Sequence, residues 1–96
     1  MAATARLIIR NPSGLHARPA ALFVRTAAVF AAEITVRNLT RAGAAADAKS
    51  IIGVLGLGVG SGNLIEVSAD GPDADRAIDA IVELVDGGIG EAAEAG

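Results

Sequence analysis

The sequence predicts an α+β fold of two layers, one mainly antiparallel sheet with helices packed on one face and the other face left to water. Three observations carry this. Short stretches of alternating apolar and polar residues occur near the start, in the middle and around residue 65, so the strands are spread along the chain. Segments of helical spacing separate and follow them, too few to cover both faces of a sheet. The chain has 96 residues, one small domain's worth.

Thr4 to Arg10 alternates, with Ala5, Leu7 and Ile9 on one face and Thr4, Arg6 and Arg10 on the other, interrupted only by Ile8; this is a half-buried strand. Asn11, Pro12, Ser13 and Gly14 form a turn cluster that delivers the chain into a helix over Ala17 to Ala31, with Ala20, Phe23, Val24, Ala27 and Ala28 along one stripe. Glu33 to Arg37 alternates again, with Ile34 and Val36 inward. Asn38 to Asp47, with its run of alanines, fits a turn and a weak short strand. Ser50 is placed to cap a short helix carrying Ile51, Ile52 and Leu55 and ending near Gly56. Leu64 to Ala69 is the next clear strand, with Ile65, Val67 and Ala69 on one face. Asp70 to Asp73 opens a last helix whose Ile78, Ile81, Val82 and Val85 recur at i, i+3, i+4 and i+7 before Gly87 and Gly88 stop it. The domain is expected to occupy residues 1–88, with 89–96 a frayed tail.

Composition narrows the chemistry. Hydrophobic residues make up 52%, but 22 of them are alanine, so the core must be compact and aliphatic. The absence of cysteine excludes disulfides, zinc-thiolate sites, iron–sulfur clusters and thiol redox chemistry. Net charge is −3, unevenly spread: residues 1–50 carry seven bases against two acids, and residues 51–96 one base against nine acids. A basic end that meets anions is implied. Nucleic acid is not expected, because only Phe23 and Phe30 offer stacking surface. No apolar run reaches 18 residues and the N-terminus lacks the regions of a signal peptide, so a cytoplasmic chain with no membrane insertion is expected. The glycines from Gly53 to Gly62 match neither the dinucleotide nor the P-loop spacing, and Asp70, Asp73 and Asp75 lack the remaining positions of a calcium loop. Neither a cofactor nor a metal is expected.

His16 is the single histidine and stands where the turn passes into the first helix, with Arg18 two residues on. The partly positive helix end disfavours an imidazolium and favours a neutral, nucleophilic ring. The same end, with its unpaired amides, accepts a negative group, and a guanidinium grips phosphate oxygens in pairs. These features suit a phosphoryl group carried on histidine. Pro19, early in the helix, has no amide hydrogen to leave unpaired. Residue types alone leave open a surface histidine beside an arginine with no task.

The run N-P-S-G-L-H-A-R-P-A over residues 11–20 resembles the active-site segment of the HPr family, the histidine phosphocarriers of the bacterial sugar phosphotransferase system. Lys49 to Gly58, K-S-I-I-G-V-L-G-L-G, is similar to the segment around that family's regulatory serine, and the resemblance extends over roughly residues 4–86. It implies an open-faced β-sandwich of order β-α-β-β-α-β-α, with four strands, the third near Ala44 to Ala46. It implies that His16 accepts a phosphoryl group on Nδ1 from phosphorylated enzyme I, charged by phosphoenolpyruvate, and passes it to an enzyme IIA. Arg18 and the backbone amides of Ala17 and Arg18 would steady the charge. Such a chain is a carrier and not an enzyme with turnover of its own, and is expected to be a monomer.

The resemblance also implies a docking patch from the first and the short helix, here Ala17, Ala20, Ala21, Ile51, Ile52 and Leu55; the charges of Arg25 and Lys49 have two readings, steering of acidic partners or plain solvated charges. Periodicity leaves Ile52 and Leu55 open between core and surface and favours Ile51 for the surface. Ser50 has two readings, a helix cap or a site for an HPr kinase whose phosphate would add charge to the patch. The stretch Leu39 to Ala48 is about three residues longer than the family pattern, and the longer tail is compatible with a piece of a larger fusion. Two alternatives stand beside this reading: a carrier for a regulatory or dihydroxyacetone-kinase relay, and a module that binds an anionic metabolite at His16 and Arg18 without covalent chemistry.

Overall fold

The computed structural model describes residues 1–91. Its elements follow in the order β1 (Ala2–Ile8), α1 (Ala17–Ala28), β2 (Glu33–Asn38), β3 (Ala46–Asp47), α2 (Ile51–Gly56), β4 (Leu64–Asp70) and α3 (Ala74–Asp86). The four strands form one sheet in the order β1-β4-β2-β3, and every neighbouring pair is antiparallel.

Strand alternation sets the two faces of that sheet. Val67 of β4 sits between Ala5 of β1 and Val36 of β2, and Ala69 between Ala3 and Ile34, so one face is a continuous apolar row. On the other face Arg6 is paired with Glu66, its Nε donating to the carboxylate at 3.1 Å, and Thr4 faces Ser68. That face is polar and open; the helices cover the first. α3 lies across β1 and β4, while α1 packs against α2 and α3.

The helical stripes explain this packing. In α3, Ala74, Ala77, Ile78, Ile81 and Val85 are buried, and in α1 Pro19, Ala20, Phe23 and Ala27. Among the described residues Phe23 is the largest fully buried side chain, in a core it shares with aliphatic residues such as Ile9, Leu15, Ile34, Ile65 and Ile81. Buried Asn38 is well supplied with partners: its Nδ2 donates to the Leu57 carbonyl and Asn63 Oδ1, and its Oδ1 accepts the amides of Thr40 and Arg41. It thereby ties the end of β2 to the exit of α2 and the entry to β4.

Several boundaries depart from expectation. α1 stops at Ala28 rather than Ala31, because the Asp73 carboxylate accepts the amides of Ala31 and Ala32 at 2.8 Å each. Those are amides a longer helix would have given to its own carbonyls. Ala28 is accordingly exposed, outside the buried stripe. β1 runs from Ala2 to Ile8, and Ile9 bonds instead to the loop before β4, donating to Asn63 O and accepting from Gly62. β3 has only two residues, Ala46–Asp47, slightly later than expected. The predicted fraying from residue 89 is corrected as far as Glu91. After α3 the chain reverses, the Ile89 amide bonds the Leu84 carbonyl, and the Ile89 side chain is 1% exposed within the core. The rest of that expected tail, 92–96, lies outside the described residues.

Asp73 couples the α1–β2 turn to α3 across 41 residues of sequence. The Ala31 amide, helped by that of Ala32 and by the nearby Arg76 charge, holds its carboxyl below the ordinary 3.8 against an opposing effect of burial. A depressed folded-state pKa stabilises the fold above the unfolded value and loses that contribution as pH falls through the folded one. Asp73→Asn is therefore expected to lower the Tm at pH 7 and to flatten its fall between about pH 5 and pH 3, as read by thermal melts across that range. Parallel curves for the two proteins would contradict this coupling.

Candidate functional site

The residues expected to carry the chemistry follow β1 through one tight turn. The Gly14 amide donates to the Asn11 carbonyl at 3.1 Å, closing a four-residue turn with Pro12 at its second position. Asn11, itself buried, donates from Nδ2 to the Gly14 carbonyl at 2.9 Å and braces the turn from inside. Gly14 has φ +61°, and a Cβ there would strike the Val59 carbonyl oxygen and Gly60, so only glycine fits. The next residue, Leu15, is fully buried and donates its amide to that Val59 carbonyl at 2.9 Å. The turn is thus fastened to the core immediately before His16.

His16 is the N-cap of α1, in extended conformation at φ −127° and ψ 158°, and its ring makes no capping hydrogen bond. Its side chain is exposed and has no hydrogen-bond partner among the described residues. The carbonyl of His16 accepts from Ala20 at 3.5 Å, closing the first helical turn, while the amides of Ala17 and Arg18 lie where no intrahelical carbonyl reaches. Ala17 has φ +49°, the left-handed region. A non-glycine residue held there stores of order 1–3 kcal/mol of backbone strain, a cost met by the structure around it. Pro19 is buried as the third helical residue, where its missing N–H leaves no orphan donor. Arg18 is exposed, and among the described residues no carboxylate lies within ion-pair distance of it. Beside it is an open depression of about 370 Å³, lined by Pro12, Arg18, Pro19, Ile89, Gly90 and Glu91. An imidazole, two helix-start amides and a guanidinium, all without partners among the described residues, can receive and hold a phosphoryl group.

α2 supplies the apolar surface. Ser50 caps it as expected, its Oγ accepting the Gly53 amide at 3.1 Å. Val54 is the one buried side chain of this helix, so Ile51, Ile52 and Leu55 all stand outward at 39%, 81% and 39% exposure. This settles the open choice for Ile52 and Leu55, and Ile52, not Ile51, is the most exposed of the three. One expected docking residue needs correction. Ala20 is fully buried on the inner stripe of α1 and has no surface to offer, whereas Ala21 is half-buried and Ala17 exposed. Lys49 is half-buried with its Nζ donating to the Phe30 carbonyl at 2.7 Å, so it fastens the end of α1 to the start of α2. Arg25 is exposed in the last turn of α1. No group of three or more potential metal ligands occurs among the described residues.

Sequence reasoning missed Asn11 and Ser13 as braces of the turn, and it missed Glu91. The Glu91 carboxylate accepts from Asn11 Nδ2 at 2.9 Å, from the Ser13 amide at 3.0 Å and from Ser13 Oγ at 2.8 Å. The one local signal was Ile89, an isolated large aliphatic between glycines in a tail otherwise of glycine, alanine and glutamate.

Residues 3–86 match the family described as the PTS HPr component phosphorylation site. The multiphosphoryl transfer protein of Salmonella typhimurium is 41% identical over 90 residues, covering 94% of this chain but 24% of that protein. The chain thus spans about a quarter of the length of such relatives. Among solved structures, HPr-C-His from Thermoanaerobacter tengcongensis superposes with a TM-score of 0.87 at 43% identity, covering 94% of this chain and 98% of that one. The phosphocarrier protein HPr from Bacillus anthracis gives 0.81 at 37% identity, covering 88% and 96%.

Proposed function

Since the chain belongs to the HPr family of phosphocarriers, we propose that it carries a phosphoryl group on His16, taken from phosphorylated enzyme I and given to an enzyme IIA. The single observation that carries this is the exposed His16 ring at the cap of α1, beside two amides and an arginine, all without a hydrogen-bond or ion-pair partner among the described residues. The reaction exchanges one phosphorus–nitrogen bond for another. The lone pair of His16 Nδ1 attacks phosphorus, the bond to the donor histidine breaks, and that bond's electron pair stays on the donor nitrogen. Nothing is oxidised or reduced, and the return step to the acceptor is the same exchange. The Ala17 and Arg18 amides and the Arg18 guanidinium face the charge on the phosphoryl oxygens in both directions.

Partner contact follows from α2. Ile51, Ile52 and Leu55 form an outward apolar surface on the helix that packs against α1, and Arg25 adds positive charge suited to an acidic rim. No helix among the described residues is long and apolar enough to cross a membrane, and a cytoplasmic partner set suits the reading. Ser50 is proposed as a second phosphate site. A phosphate there would add charge at the foot of the surface made by Ile51 and Ile52 and weaken docking. HPr kinase with ATP should then place one acid-stable phosphate on the chain and none on Ser50→Ala; an unmodified wild-type chain would refute it.

The carrier reading is tested with phosphoenolpyruvate, magnesium and purified enzyme I, followed by intact mass and acid lability. One acid-labile phosphate is expected on the wild-type chain and none on His16→Ala. Arg18→Ala should fold normally and accept phosphate about a hundredfold more slowly. Ile52→Glu should raise KM for enzyme I about tenfold with kcat little changed. An equal phosphate load on His16→Ala would overturn the reading.

A further inference from the structure

The segment after α3 reaches back to the turn that precedes His16, and it lies beyond the residues matched by the family. Two independent features hold it there. Ile89 is inserted into the core, and the Glu91 amide donates to the Gly88 carbonyl at 2.9 Å, which aims the Glu91 side chain back along the surface. The carboxylate then takes three donors from the turn, the amide and hydroxyl of Ser13 and Nδ2 of Asn11. The Asn11 Nδ2 bond is the informative one, because that same nitrogen donates to the Gly14 carbonyl at 2.9 Å. Asn11 is buried, and its Oδ1 has no partner among the described residues, so Glu91 and the Gly14 carbonyl are the two groups that hold the side chain there. Glu91 therefore fixes the inside of the turn as well as its outer edge.

We propose that Glu91 is a positioning residue for His16: it clamps Asn11 and Ser13 so that the turn presents the His16 ring and the α1 amides in one fixed arrangement. This rests on the reading of His16 as the phosphoryl acceptor. Glu91 does not touch the phosphoryl group; it lines the depression beside Arg18 without an ion pair to it, so the guanidinium stays available. Its effect is expected on the transfer step and not on docking by α2, because its carboxylate bonds Asn11 and Ser13 and none of Ile51, Ile52 and Leu55.

Conservative substitution separates positioning from charge. In Glu91→Gln the amide oxygen still accepts from Asn11 Nδ2 and the Ser13 amide, and its N–H donates to the Ser13 hydroxyl oxygen, which reverses that one bond and keeps the geometry. Glu91→Ala removes all three. The full chain and both variants are compared in transfer from phosphorylated enzyme I and in ¹H–¹⁵N spectra. Glu91→Ala is expected to lower kcat about tenfold with KM within about twofold, and Glu91→Gln to restore most of the rate. The backbone amides from Ser13 to His16 are expected to move in Glu91→Ala and to return toward their places in Glu91→Gln. A wild-type kcat in Glu91→Ala overturns the proposal, as does a defect that Glu91→Gln leaves unrepaired. If the wild-type chain takes no phosphate, the carrier reading falls instead, and unmoved Ser13-to-His16 amides in Glu91→Ala would then refute the clamp on their own.

Discussion

The bond between the Leu15 amide and the Val59 carbonyl, with the Leu15 side chain buried beneath it, is the constraint on which the candidate site depends. Burying a leucine contributes roughly 1.5–3 kcal/mol, enough to fix the depth at which the chain turns into α1. Gly14 makes that approach possible, since any side chain there would meet the Val59 carbonyl. With Leu15 inside, His16 must be outside, at the one position where a side chain stands beside the unpaired amides of a helix start. Ala17, held at φ +49° directly after His16, marks this helix start as strained, unlike that of α2, which also follows an extended cap but has no left-handed residue.

The surface around the site is built by a helix too short to persist alone. Six residues are far below the length at which an isolated helix is stable in water. α2 is held by its Ser50 cap, by buried Val54, and by the close seat of Gly53, where a Cβ would lie 3.4 Å from Ala46 Cβ and the Asp47 carbonyl. Lys49 adds a bond to the end of α1. Because these attachments use the inner side of α2, Ile51, Ile52 and Leu55 are left for a partner.

Much of this was legible before any coordinates. The alternation in β1, β2 and β4 and the 3.6-residue repeat in α3 are direct consequences of burying one face, and they gave the layer order. The run around His16 pointed to the HPr family, which the match over residues 3–86 shows, and the likeness to solved HPr structures agrees with the fold it implied. Two of the misses share one cause: contacts between residues far apart in sequence. The end of α1 was set by Asp73, and the tail was anchored by Ile89 in the core and by Glu91, which is bonded to residues some 80 positions earlier. β3, two residues within an alanine run, carries no pattern to read. Ala20 and Ala21 differ only in which side of α1 they occupy, and Lys49 looked free because its acceptor is a backbone carbonyl, invisible to charge counting.

The central claim is that the Ala17 and Arg18 amides and the Arg18 guanidinium receive the charge of a phosphoryl group on His16. It is tested most directly by ¹H–¹⁵N spectra of the phosphorylated chain, with the His16 ring and the arginine side chains resolved. The account predicts a phosphoramidate on Nδ1, large downfield shifts of the Ala17 and Arg18 amides and of an Arg18 guanidinium proton, and an unmoved Leu15 amide. Phosphate on His16 with the Ala17 and Arg18 amides left in place would contradict it.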